Sequence, residues 1–311
     1  MFIHLHWHST FSFLESIGKP RAILDKAKEL EMNAIAITDY NWMYGIIKFY
    51  QMAKEENIKP IIWVELGFVL DISSTFNSNQ IWNIVLLAKN KQWYQNLMEL
   101  ISFANQDGIK WKPKIDINIL SKYWQWLIAL FGWIESWIGK MITFDENESK
   151  LQEIIQMIQQ AVGEKNVYLE ITAQDYSKMP ELKKINNQIL NISQSLKIPC
   201  VINNNFFYPN IDDKQARQVA LAIKDGKKMY DEDRRKPKWD YHIMSEEEIR
   251  EIMMKNDFDK KLIDEFIENN NKVANDIDTQ IDLHQTLFPN YDSPEDIIEI
   301  YEQIKDDLVQ D

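Results

Sequence analysis

Residues 4–12 read HLHWHSTFS, which places three imidazoles at every second position. In an extended strand residues i, i+2 and i+4 point to one face. His4, His6 and His8 would then offer three nitrogen ligands on one side of a first strand, a donor set suited to zinc or another divalent transition metal. Oxygen donors could come from neighbouring strands. Asp39 follows the apolar run AIAIT, Glu65 ends KPIIWVEL, and Asn203 to Asn205 end CVINNN. The chain has five His and a single Cys, Cys200, which excludes a multi-thiolate zinc site and an internal disulfide framework and fits a reducing cytosol.

Those residues need elements to hold them. KPRAILDKAKELEMN (19–33) carries Ile23, Ala27 and Leu30 at helical spacing and reads as an amphipathic helix. Strands are predicted at 34–38, 59–66, 83–89, 127–131, 167–171 and 200–205, with helices over 43–58, 94–105, 146–162 and 179–196. Short apolar strands separated by helices predict an α/β protein whose parallel sheet is covered on both sides and closed into a barrel. In such a barrel the site forms at the C-terminal ends of the strands, where the polar residues above fall. After residue 210 the pattern is helical: about 211–225, a helix opened by Ser245 as cap with Glu248 reaching back, and 257–277. The organisation expected is a barrel over 1–210, a helical extension over 211–285 packed on it, and a linker over 286–311, which holds eight acidic residues and one lysine from 291 onward.

The net charge of −13 argues against a direct grip on nucleic acid. The basic stretch KKMYDEDRRKPK (227–238) is read as a solvated loop without a function of its own. No secretory signal opens the chain, and no apolar run approaches the ~18 residues of a membrane span. The expectation is a soluble, cytoplasmic protein.

One compositional feature stands out. There are 11 Trp and 8 Gly, so glycine is about 2.6% of the chain against a usual ~7%. Several Trp sit in turn-like or strand-end contexts that favour a residue without a Cβ, among them Trp7, Trp42, Trp63, Trp126, Trp133 and Trp239. Glycine at all eleven positions would restore an ordinary content of about 6%. Two readings stand: a lineage that reads UGA as glycine, its gene translated with UGA as tryptophan, or a genuinely Trp-rich protein.

FIHLHWHSTFSFLES, AIAITDYNWMYGIIKFY, KPIIWVEL, NIVLLAKNKQWYQNLMELIS and HIMSEEEI together resemble the PHP (polymerase and histidinol phosphatase) domain at the N-terminus of the bacterial replicative DNA polymerase III alpha subunit. The similarity runs along nearly the whole chain, and the tail after residue 210 favours the polymerase branch over the histidinol phosphatase branch. In that family Trp63, Trp93 and Trp126 align with residues that are commonly glycine.

The resemblance implies a seven-stranded β/α barrel that, in active members, holds up to three divalent metals for phosphoester hydrolysis. It carries His6 and His8 onto the opening HxH pair, Glu15 onto an acidic ligand that is usually Asp, and Glu65 onto the carboxylate after the third strand. Five further ligand positions are lost: Tyr40, Asn83 and Gln174 each replace His, and Asn205 and Phe207 replace an Asp and a His. Metal clusters need charge that these side chains do not supply. The expected residual site, His6, His8, Glu15 and Glu65, takes at most one divalent metal (Zn, Mn or Mg). The expected role is a scaffold within DNA replication, partnered by the remainder of the alpha subunit and by a proofreading exonuclease, touching DNA only indirectly. The polymerase's own catalytic residues are absent. The rival reading is an active metal-dependent phosphoesterase or 3′–5′ exonuclease.

Overall fold

The computed structural model describes residues 2–73, 81–110, 112–123, 127–144, 146–237 and 239–283, together with 297, 300–302 and 305; the side chains of 91–93 are outside that set. Residues 1–279 form one compact unit and 280–311 a second. Most of the linker expected over 286–311 lies outside the described residues.

The strands are β1 (Ala34–Tyr40), β2 (Lys59–Val69), β3 (Trp82–Ala88), β4 (Lys114–Asp116), β5 (Leu127–Phe131), β6 (Val167–Thr172) and β7 (Cys200–Asn203). They form one sheet in the order β1-β2-β3-β5-β6-β7, with β4 paired to β2. The sheet is mixed, which corrects the all-parallel expectation: β3 runs antiparallel to both β2 and β5. The connection from β2 to β3 reads LDISSTFNSNQI, a short polar stretch, whereas a parallel neighbour would need a longer crossover, usually a helix.

The predicted helices appear as α1 (Pro20–Glu29), α2 (Ile46–Glu55), α3 (Lys91–Gln106), α6 (Glu148–Val162), α7 (Pro180–Leu196), α8 (Lys214–Lys224), α9 (Glu246–Lys255) and α10 (Lys260–Asn275). Two short helices, α4 (Ile117–Lys122) and α5 (Trp137–Thr143), and strand β4 were not foreseen. α1 buries Ile23, Leu24 and Ala27 and leaves Lys26 and Lys28 in its last turn, where cations favour the helix dipole. α9 begins on the expected capping box: Ser245 Oγ accepts from the Glu248 amide at 3.2 Å, and the Glu248 carboxylate accepts from the Ser245 amide at 2.7 Å. No helix among the described residues is long and apolar enough to cross a membrane.

Residues 2–8 join the two edges of this curled sheet. The Ala36 and Thr38 amides of β1 donate to the His4 and Trp7 carbonyls. On the other side Leu5 N donates to Asn203 Oδ1 and His8 N to the Phe206 carbonyl. Asn270 of α10 pins the segment from outside, donating to the carbonyls of Ile3 and Ile202 while accepting from the Ile202 amide. Two residues of β1 span three of the segment, from His4 to Trp7, so the segment carries a bulge. A bulge interrupts the alternation on which a three-histidine face depends.

The tryptophans do not sit as the turn argument requires. No described Trp has a positive φ; Leu14, Glu31, Asn41, Asn57, Lys197, Asn205 and Asp257 are the non-glycine residues that do. Trp63 lies within β2, and Trp7 stacks on Phe206 with centroids 5.3 Å apart. Their burial is nevertheless unusual in one respect. The indole nitrogens of Trp7, Trp63, Trp82, Trp133 and Trp137 are all sealed without a hydrogen-bond partner, whereas a buried Trp N–H usually finds one.

Candidate metal centre

Strand ends and the bulged segment bring His6, His8 and Glu65 together. Ligand atoms of the three lie within 4.8 Å of one another, all fully buried. Glu65 Oε2 is 2.9 Å from His6 Nε2 and 3.2 Å from His8 Nε2. The second approach is too poorly aligned to be a hydrogen bond, and His8 Nε2 is left without a partner. A sealed imidazole nitrogen aimed at a carboxylate that a second imidazole already shares is a donor set into which one metal ion fits.

Glu170 of β6 completes the support. Its Oε2 lies 3.0 Å from His6 Nδ1, the carboxylate–histidine pairing that fixes ring orientation in metal sites. The approach of β5 to β6 depends on Gly132, with φ +153°, where a Cβ would come within 2.2 Å of the Glu170 carbonyl. Burial opposes charge on His6, but Glu170 and Glu65 outweigh it and raise the pKa to about 9. Burial likewise opposes charge on Glu65, and the neighbouring His6 and His8 overcome it, bringing its pKa down to about 2. His8 is pushed the other way, downward, by burial. Sequence reasoning missed Glu170; its signal was a charged residue inside the otherwise apolar VYLEI run.

The other expected ligands divide. His4 lies apart: its Nε2 bonds the Met244 carbonyl at 2.8 Å, its ring packs against Phe2 and Phe206, and burial depresses its pKa to about 4. The bulge between His4 and Trp7 accounts for this. Glu15 reaches the same mouth, but its carboxylate is held by Lys224 of α8 and by Arg235. Arg235 belongs to the 227–238 stretch, so that stretch is more than a solvated loop. Asp39 shapes the turn after His8, accepting from Ser9 N at 2.8 Å, Ser9 Oγ at 2.6 Å and Ser12 Oγ at 2.6 Å.

The five substituted positions surround the site. Tyr40 and Phe207 both stack on His8, at 4.0 and 4.7 Å between centroids. Asn83 donates to Glu65 Oε1. Gln174 donates to the carbonyls of Asn204 and Asp240, and Asn205 holds a left-handed backbone, φ 46°, with its Oδ1 buried and unpartnered. Beyond them opens a cavity of about 930 Å³, whose lining includes Glu15, Tyr40, Asn83, Gln174, Phe207 and Arg217.

The family model for the PHP domain matches residues 4–174. The chain belongs to the PHP domain family. Among curated proteins it is similar to DNA polymerase III subunit alpha of Borreliella burgdorferi, 32% identical over 301 residues, covering 94% of this chain and 25% of that one. The same subunit of Buchnera aphidicola is 33% identical over 230 residues, 72% of this chain and 19% of that one. That of Thermus aquaticus is 30% identical over 280 residues, 86% and 22%. The chain thus matches between about a fifth and a quarter of the length of these relatives. An amidohydrolase from Chromobacterium violaceum shares 13% identity over 68% of this chain and 89% of that one, with a TM-score of 0.43, a likeness too distant to bear on the site.

Proposed function

We propose that this chain acts as the PHP portion of a replicative DNA polymerase III alpha subunit, a scaffold whose metal centre is reduced to a single residual site. The observation that carries this reading is the saturation of Glu65. Its Oε2 faces both His6 and His8, and its Oε1 accepts from Asn83. A position that would supply a metal ligand instead supplies a proton donor to the carboxylate. Tyr40 and Phe207, at two more such positions, enclose His8 in carbon. Phosphoester hydrolysis by clustered metals needs adjacent cations to generate hydroxide and to stabilise the leaving oxygen. The residual donors support one ion. Two imidazoles and a carboxylate suit Zn²⁺ or Mn²⁺ better than Mg²⁺, which prefers an all-oxygen shell. When bound, such an ion would tie the His6–His8 segment to β2. Glu15 joins the ligands only when Lys224 and Arg235 release it. The barrel and its helical tail would then serve as a docking body for the remainder of the alpha subunit and for a proofreading exonuclease.

The test is metal content and activity on the purified chain. At most one ion per chain and no appreciable hydrolysis of phosphoester substrates with Mn²⁺ or Zn²⁺ are expected. Two or three ions, with turnover abolished by His8→Ala, would instead establish the phosphoesterase reading.

A further inference from the structure

The mouth cavity borders the metal donors without exposing them. Tyr40, Asn83 and Phe207, which touch His8 and Glu65, line it, yet His6, His8 and Glu65 are each no more than 1% exposed. An ion held by those three has to pass something that opens.

One wall of the cavity has the features of such a device. Residues 226–237 leave α8 at Gly226, whose φ of +65° suits glycine and beside which a Cβ would meet nothing. None of them is buried, and Arg235, Lys236 and Pro237 line the cavity. Both ends are fixed. The Gly226 and Lys227 amides close α8 on the Ile223 and Ala222 carbonyls. Past the other end Asp240 pairs with Lys178 and Lys214, and the Tyr241 carbonyl accepts from the Phe207 amide. Between those ends, among the described residues, the polar ties out of the segment run from Arg234 to Gln218 of α8, from Arg235 to Asp225 at the end of α8, and from Arg235 to Glu15. Only the last crosses to another part of the protein. A segment with exposed polar ties and no buried residue opens locally at low cost.

We propose that residues 226–237 are a lid on the metal's way in, latched by the ion pair of Arg235 with Glu15, so that ions enter and leave the His6, His8 and Glu65 donors when the latch opens. Charge adds to the barrier. The closed lid holds Arg235 and Lys236 at the mouth, where like charge opposes an approaching cation; the open lid withdraws both. The lid rests on the residual-site reading, to which it adds control over the rate of exchange rather than over affinity.

The experiment reads metal exchange and lid opening separately on the whole chain. Zinc release into excess chromophoric chelator gives the dissociation rate, and competition gives the affinity. Arg235→Gln changes a half-exposed side chain and leaves Lys224 on Glu15. It should speed release about fivefold, the scale of one partly exposed ion pair, with affinity kept within about twofold, so that uptake speeds by the same factor. Raising the salt to about 0.5 M should do likewise to the unsubstituted chain, by screening the pair. Without metal, chymotrypsin should cut after Tyr230, which is 76% exposed, faster in Arg235→Gln than in the unsubstituted chain. Zinc that binds but exchanges at unchanged rates in Arg235→Gln and in high salt would overturn the lid and leave the residual site standing. A chain that binds no zinc would overturn both. Faster cleavage without faster release would show a segment that opens but gates nothing, and would overturn the lid alone.

Discussion

The Glu170 carboxylate lies 3.0 Å from Nδ1 of His6, across the imidazole from the Nε2 that meets Glu65. A histidine held from behind in this way has its ligand nitrogen aimed before any ion arrives. Glu170→Gln should therefore lower zinc affinity 10–100-fold, the usual cost of removing such a partner, measured by competition with a chromophoric chelator. Glu15→Gln should leave the affinity within about threefold, because Lys224 and Arg235 already hold that carboxylate. Equal losses for the two variants would place Glu15 among the ligands.

Asn270 satisfies three buried backbone groups, on Ile3 and Ile202, from one side chain. Asn270→Ala strands all of them and should cost ~3 kcal/mol, since a buried unsatisfied group costs about 1–3 kcal/mol. Urea denaturation checks this, with an unchanged slope expected. A loss below ~1 kcal/mol would mean that water replaces the amide.

The Cys200 thiol is buried and its pKa is pushed up to about 12 by that burial. Iodoacetamide should leave the native chain unmodified at pH 8 and label it on unfolding. The linkage has a definite sign. The unfolded thiol deprotonates near pH 9 and the folded one near pH 12, so stability from this group is intact below pH 9 and falls as pH rises toward 12. The melting temperature of Cys200→Ala should decline less steeply over that window than that of the unsubstituted chain.

Five sealed indole N–H groups without acceptors favour the glycine reading of the tryptophan positions, even though φ gives it no support. Overpacking costs about 1–3 kcal/mol per site, against a total stability of ~5–15 kcal/mol. A chain with glycine at all eleven positions should melt higher than the chain written here. If it melts at the same temperature or lower, with indole fluorescence showing buried tryptophan in the original, the tryptophans are native. Mass spectrometry of the protein from its source cells gives an independent answer.

Much of the fold was legible because strands buried on both faces leave continuous apolar runs, and because helices mark themselves by spacing and by caps such as Ser245 and Glu248. The strand direction of β3 was not, since an apolar run carries no direction. At the site, HxH spacing found His6 and His8, and a carboxylate closing a strand found Glu65. His4 was misread because a one-residue bulge is invisible in the alternation it breaks. Glu15 was placed at the right mouth, but its cations come from Lys224 and Arg235, 209 and 220 residues away, and sequence spacing reports nothing over that distance. Glu170 was passed over as part of an apolar strand, although burying a charge there is what a metal-supporting carboxylate requires.

The segment that carries His6 and His8 is synthesised before the sheet it joins, and half of its seat is made far later. Leu5 waits for Asn203, 198 residues on, and Ile3 for Asn270, 267 residues on. Until then the β1 edge stands open to pairing with other chains. Contacts of such long sequence separation close slowly. In order of synthesis His6 and His8 precede Asn203 and Asn270; in order of folding they wait for them.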